Sequence, residues 1–312
     1  MAGEIQAPGG PKGPAATGRD STAPRSLDER SMVRRRASDP RAGLGAAGYA
    51  LALQVSHPVI AGGVRDHSTY AADPWGRFFR TADFVMQLAY GDDDTVRRLG
   101  EGLRNQHRSI RGTDPSGRRY SALQPAAYAW VHATLGIGIV RAHDKMGTTF
   151  TARQRDSFWA DWLVLGDHLL VNRSQLPTNW AGVEDYLRAM IEDVLEHNDQ
   201  VDAVKAQAGN IEGSPPTKFM PEFMWRPMGR AMAPLLSFLG TGMLPPVLRE
   251  RFRLSWNLPD AVAFRAWCDS SKAWGMIMPR SMRQSAPRMI RMRRGETGPF
   301  GVSNRGARLA RG

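Results

Sequence analysis

Apolar residues recur every three or four positions through most of this chain, and that spacing predicts helices. In 180–196 the repeat is Val183, Tyr186, Leu187, Met190, Ile191 and Val194, the period of a half-buried helix. Positions 151–170 bring Phe158, Trp159, Trp162 and Leu165 to one side. Positions 126–140, after Gln124-Pro125, are apolar nearly all round and carry Trp130, His132, Thr134 and Leu135, which reads as a buried helix. Further helices are expected at 44–55, 228–239, 246–253 and 259–276. Asp73-Pro74-Trp75 predicts another helix start, with Asp as cap and Pro at the first position. That helix carries Phe78, Phe79, Phe84 and Leu88 and stops at Tyr90-Gly91. The next, expected over 92–110, has Asp92, Asp93 and Asp94 in its first turn and arginines in its last, matching the helix dipole. Residues 112–117 are turn chemistry. No two-residue alternation, hairpin signal or repeat stands out. The expected fold is all-α, a single multi-helix domain.

Composition sets the ends apart. Residues 1–41 are rich in Gly, Pro, Ala, Ser and Arg, a composition that cannot offset the entropy of ordering, so a disordered basic tail is expected there. Residues 42–280 form the expected domain. Residues 281–312 form a basic Arg/Met-rich tail, and an amphipathic helix on an anionic membrane surface is one reading of it; a solvated tail is the other. The formal net charge is +12. Its excess gathers at the ends, so the middle is not expected to bind specific nucleic acid. Cys268 is the only cysteine, which excludes an internal disulfide and a Cys-ligated zinc. Beside Phe264, Trp267 and Trp274 it reads as a buried structural thiol. Arg34-Arg35-Arg36 precedes an apolar run over 42–63, the order of an export signal. No small-residue cleavage site follows, and His57 and Pro58 interrupt the run. The expected location is cytoplasmic, peripheral to the membrane.

Two clusters carry the candidate chemistry. Arg77-Phe-Phe-Arg80-Thr81 and Arg104-Asn-Gln-His107-Arg-Ser-Ile-Arg111 each place polar groups three and four residues apart, on one face if helical. One imidazole flanked by guanidiniums suits an iron porphyrin: the ring ligates the metal and the arginines neutralise its propionates. Competing chemistries have less support. No Glu-x-x-His, His-Glu-x-x-His, Gly-x-Ser-x-Gly or Gly-x-Gly-x-x-Gly signature stands where it is needed. A non-haem iron site from His57, His67 and Asp66 stays open. His132 on its apolar face also reads as a hydrogen-bonded core residue, His57 as a helix cap, and Arg77 and Arg80 as ion-pair partners of Asp66, Asp73 or Asp83.

These segments, in order, resemble a known family. They are Leu53-Gln-Val-Ser-His57-Pro58, Arg65-Asp-His67-Ser68, Asp73-Pro-Trp-Gly-Arg77-Phe-Phe-Arg80-Thr81, Arg104-Asn-Gln-His107-Arg-Ser-Ile-Arg111, Tyr120-Ser-Ala-Leu, Trp130-Val-His132-Ala-Thr-Leu135 and Leu244-Pro-Pro-Val-Leu-Arg249-Glu. Together they resemble the MpaB/rubber-oxygenase catalytic domain, the family of the latex-clearing proteins, over about residues 42–290. The resemblance implies a globin-like helical core binding haem b, with His107 on the iron. It implies Arg77, Arg104, Arg111 and His132 around the cofactor. Thr81, Arg80, His57 and His67 become candidate catalytic groups, Thr81 as donor to bound oxygen and either histidine as acid/base. The implied partners are O₂ and a hydrophobic small molecule. Two departures stand out. Arg80 replaces a lysine of the latex-clearing pattern and cannot lose its proton to ligate iron. No Glu precedes Arg77 where those proteins carry a distal base, which argues against polyisoprene cleavage as such. The alternative reading is a non-enzymatic haem- or lipid-binding protein attached peripherally to membrane.

Overall fold

Helical periodicity becomes helices almost everywhere in the computed structural model, which describes residues 25–67, 73–207, 221–279 and 283. The N-terminal half holds α1 (Met32–Arg36), α2 (Pro40–Val55), α3 (Pro58–His67), α4 (Pro74–Tyr90) and α5 (Asp93–His107). A short hairpin, β1 (Arg111–Thr113) with β2 (Arg119–Ser121), leads to α6 (Pro125–Met146) and α7 (Ala152–His168). Then come α8 (Trp180–Ala189), a π-turn (Met190–Val194), α9 (Asp199–Gln207), α10 (Glu222–Met243), α11 (Pro246–Arg251) and α12 (Leu258–Ile277). The class is all-α.

Helix α6 is the hub. Its length is almost wholly buried, and α2 lies along it more extensively than any other pair of elements packs, with α10 on the other side of α2. Small residues permit that layering. A Cβ on Gly48 would stand 2.9 Å from the Gly240 backbone, so α2 and α10 cross with their main chains in contact. The core between α6 and α7 is aromatic: Trp130, Phe158, Trp159 and Trp162 are fully buried, and Phe158 stacks on Trp162 at 5.7 Å.

Three stretches differ from the sequence expectation. Residues 25–41, within the expected tail, fold: Val33 is fully buried, Leu27 nearly so, and Arg34 Nε donates to the Ala89 carbonyl at 3.0 Å. The expected disorder of 1–24 and most of the C-terminal tail lie outside the described residues. The second is the hairpin. Its antiparallel register pairs Gly112 with Tyr120, and a Cβ at Gly112 would stand 2.5 Å from the Tyr120 hydroxyl and 2.7 Å from its ring. Asp114 gathers Ser116 and Arg118 into the turn. With three residues per strand, no alternating pattern was long enough to read. Third, α5 ends at His107 rather than at 110, so Arg111 falls on β1 and does not share a helix face with His107.

Gly100 seats α5. A Cβ there would meet the His168 carbonyl oxygen at 2.0 Å, and backbone cannot swing aside as a side-chain tip can. Gly100→Ala is expected to push α5 off the end of α7. A loss of about 1–3 kcal/mol follows, typical of overpacking, even though alanine itself favours helix. Urea unfolding of the variant checks it.

Candidate functional site

Asp73 caps α4 by accepting the Gly76 N–H at 2.9 Å, and Pro74 opens the helix as its sequence predicted. The helix then presents Arg77, Phe78, Thr81, Ala82 and Val85 to a partly open cavity of about 330 Å³. Those positions follow helical spacing along one face. Opposite stands the small-residue face of α2 from Gly43 to Val55, with Leu135 and Ile139 of α6 and residues of α9 and α10 completing the walls. Phe78 and Leu135 thus line the cavity as a distal pocket would require. Phe84 and Leu88, on the same helix, pack into the core instead.

His107, at the end of α5, does not itself line this cavity; Arg77, which does, is its link to it. Its ring is half-buried and meets Tyr128 edge-on at 5.9 Å. Burial first, and then the positive charge of Arg77, hold the imidazole below its ordinary pKa, so it is neutral near pH 7. Its Nδ1 is buried with no hydrogen-bond partner among the described residues. His143 Nδ1 is likewise buried without a partner, but the other nitrogen of that ring donates to the Arg36 carbonyl at 3.0 Å. His57, His132, His143, His168 and His197 each engage a ring nitrogen in a hydrogen bond, and His67 is exposed. His107 is the half-buried imidazole for which no ring hydrogen bond stands among the described residues. Arg77 joins it to the cavity, lining the wall while acting electrostatically on the ring. Arg104 lies one turn earlier on α5, close enough to bear on the Tyr128 hydroxyl.

The other sequence candidates sit elsewhere. Arg80 is more than half exposed and pairs with Asp73 at 3.0 Å, the ion-pair role that the sequence left open. Its position three residues after Arg77 turns it off the face that Arg77 and Thr81 share. Arg111 is exposed on the hairpin. His57 ends α2 and caps α3, its Nδ1 accepting the Val59 N–H at 3.2 Å; burial pushes its pKa down to about 4. His67 meets only the edge of Tyr120, at 6.2 Å between centroids. His132 interlocks with Trp162. The rings stack at 5.3 Å, His132 Nε2–H donates to the Trp162 carbonyl at 3.0 Å, and the indole N–H returns a bond to the His132 carbonyl at 3.0 Å. Of these, neither His57 nor His132 lines the cavity.

A purely protein-ligated metal finds no set of ligands. Among the described residues no three His, Cys, Asp or Glu side chains stand together to hold an ion. The suggested trio disperses: Asp66 accepts from the Tyr120 hydroxyl, His57 is a cap, and His67 faces outward. A single imidazole could serve only a metal that brings the rest of its coordination with it, as in a porphyrin. The donor chemistry here fits haem: a neutral ring with an unmet nitrogen, the charge of Arg77 acting on it, and a mostly apolar cavity that Arg77 lines.

Two residues the sequence reading passed over also matter. Lys205 of α9 and Thr241 of α10 line the cavity wall. Neither belongs to a motif, and only the fold brings their helices to α2. Cys268 is buried as expected, with its thiol pKa raised by burial, although Trp267 and Trp274 beside it are exposed.

The family model described as "ER-bound oxygenase mpaB/B'/Rubber oxygenase, catalytic domain" matches residues 34–273. No curated protein and no solved structure gives a significant match. The matched span runs from α1 to α12 and takes in every helix that builds the cavity. On that coverage the chain belongs to the mpaB/rubber oxygenase catalytic-domain family, and it is an enzyme of the oxygenase class.

Proposed function

We propose that this chain is a haem b-dependent oxygenase that acts on a hydrophobic small molecule, with His107 as the protein ligand to iron. The observation that carries the reading is the half-buried, neutral His107 ring, its buried Nδ1 without a hydrogen-bond partner among the described residues, under the charge of Arg77 on a cavity wall. A bound haem would supply the iron chemistry that activates O₂. The protein's contributions follow from its own side chains. Arg77 offers a fixed positive charge to a propionate or to an anionic oxygen species. Thr81, four residues on, offers a hydroxyl donor to the same space. Phe78, Leu135 and the small residues of α2 keep water from the substrate's reacting carbon. Neither His57 nor His67 is assigned the acid/base step in this reading, since one caps a helix and the other faces away.

Reconstitution tests it. The purified chain titrated with haemin is expected to develop a Soret band at one equivalent, and the loaded protein to consume O₂ with an apolar alkene as substrate. A chain that leaves the haemin spectrum unchanged would rule the reading out. Haem uptake with no O₂ consumption across a substrate panel would favour the non-enzymatic alternative.

Peripheral attachment to an anionic membrane has an observation of its own. At the end of α12, Trp274, Met276 and Ile277 are well exposed, and nine arginines with one acid follow over 280–312. Exposed aromatic and aliphatic tips beside clustered arginine suit the lipid interface. No single helix among the described residues is long and apolar enough to cross a membrane, although α2 and α3 pass that test together as a pair bent by 98°.

A further inference from the structure

The cavity under α4 has a second polar pole, away from Arg77 and Thr81. Lys205, Ser237 and Thr241 line both this inner space and an outer, more open cleft of about 410 Å³ that continues past Trp256 and Asp260. The three therefore form the neck between solvent and interior. Helix α9 is fixed at the far end of α2, where the Asn198 side chain donates to the Val55 carbonyl at 3.0 Å. Thr241 follows Gly240, which packs on Gly48 at the middle of α2, so from the neck the α2 wall runs about 10 Å towards Val55 and about 8 Å towards Gly43 at the helical rise. Along it the cavity is lined chiefly by alanine, glycine and aliphatic side chains.

Lys205 has three acceptors around it, none of them close. Its ammonium makes long contacts only: the Arg253 carbonyl at 3.3 Å, the Phe252 carbonyl at 3.5 Å and Asp202 at 3.7 Å. The other acid at the cleft, Asp260, is engaged at the start of α12, accepting the Asn257 N–H at 2.9 Å. An ammonium with two neighbouring hydroxyls is a donor set for a carboxylate. A long apolar wall behind it suits an extended hydrocarbon, which gains in proportion to the area it buries.

We infer that the substrate is an amphiphile with a carboxylate head, held at the neck by Lys205 with Ser237 and Thr241 while its hydrocarbon chain lies along α2 beneath Arg77 and Thr81. This rests on the oxygenase reading for what happens to the chain, and not for the binding itself. Lys205 is then a specificity-determining residue. It touches the head, and the carbon to be oxidised is set by how far the chain reaches past Arg77.

Dodecanoate and dodecan-1-ol are suitable probes, titrated by calorimetry into the full chain with and without haemin. Dodecanoate is expected to bind about tenfold or more tighter than the alcohol, the scale of one charge-assisted hydrogen bond. Lys205→Met is expected to erase that preference and leave alcohol binding unchanged. Lys205→Arg restores the preference, which separates charge recognition from a packing effect. Ala47→Phe, midway along α2, is expected to weaken both probes. Equal affinity for acid and alcohol in the wild-type chain overturns the inference, as does a Lys205→Met chain that keeps the preference. Because binding is read without turnover, failure to take up haem would count against the oxygenase reading and leave these measurements decisive for the neck.

Discussion

Replacing His107 with alanine is expected to remove stable haem binding while leaving the fold intact. The two halves of that expectation have different physical origins. A ligand to iron cannot be spared: outer-sphere partners of metal ligands are by themselves worth about 10–100-fold in affinity, so loss of the ligand itself is expected to cost at least about a hundredfold. Stability responds differently. The ring nitrogen at 107 is buried without a hydrogen-bond partner among the described residues, and deleting an unsatisfied polar group relieves a desolvation penalty of about 1–3 kcal/mol. That gain opposes the packing lost against Tyr128. The haem-free variant is expected to unfold within about 1 kcal/mol of the wild type. His132→Ala makes the contrast. It breaks the reciprocal bonds with Trp162 and opens a void in the aromatic core, so it is expected to lose several kcal/mol, as large-to-small core changes do. Haemin titration followed by absorbance, with urea unfolding of each haem-free variant, separates the two outcomes. A His107→Ala chain that keeps wild-type haem affinity would refute the ligand assignment.

Much of this was legible in the residues, and the parts that were not share a cause. Helices with a repeating apolar face, such as α7 and α12, declare themselves because 3.6-residue spacing is a local signal. The Asp73-Pro74 start of α4 is local as well. Arg77 and Thr81 could be paired from spacing, because four residues is one turn. Where Arg80 points could not: its partner Asp73 lies seven residues back, at the cap of the helix, and the choice between cavity and ion pair is made by which face of α4 packs inward. The histidines show the limit most clearly. His57, His67, His107 and His132 were comparable candidates as letters. Only packing shows that one caps a helix, one is exposed, one interlocks with Trp162 and one is left with a free nitrogen. Helices α3 and α9, ten and nine residues long, lack the apolar repeat that marks 180–196 and the Pro-Pro start that marks 246–253. Lys205 sits on one of them, so the neck of the cavity was invisible for the same reason.

Acid is expected to unfold the haem-free chain earlier than carboxylate titration would. Burial holds His57 and His132 at a pKa of about 4, against about 6.5 for an imidazole in the unfolded chain. Between those values the unfolded state takes up two protons that the folded state refuses. Stability is therefore complete above about pH 6.5 and falls as the pH drops through 6.5 to 4. A displacement of this size is worth roughly 3 kcal/mol per ring, so the pair accounts for about 6 kcal/mol. That is a large share of the 5–15 kcal/mol by which domains are stable. His143 and His107 are displaced in the same direction, also chiefly by burial, and add to the slope. The depressed carboxylates work in a lower window. Asp39 lies below its ordinary value although burial opposes it, held there by the hydrogen bond from Arg41, and its contribution is lost only as the pH falls below about 4. The acid limb should accordingly begin near pH 6. His132→Gln keeps a donor for the Trp162 carbonyl but cannot charge. At pH 7 it is expected to be less stable than the wild type, through lost stacking. Its stability should then decline between pH 6.5 and 4 with a markedly shallower slope, by about 3 kcal/mol less over the window. Urea midpoints measured across that range decide it: parallel curves for the two chains would mean that the buried ring at 132 does not govern acid stability.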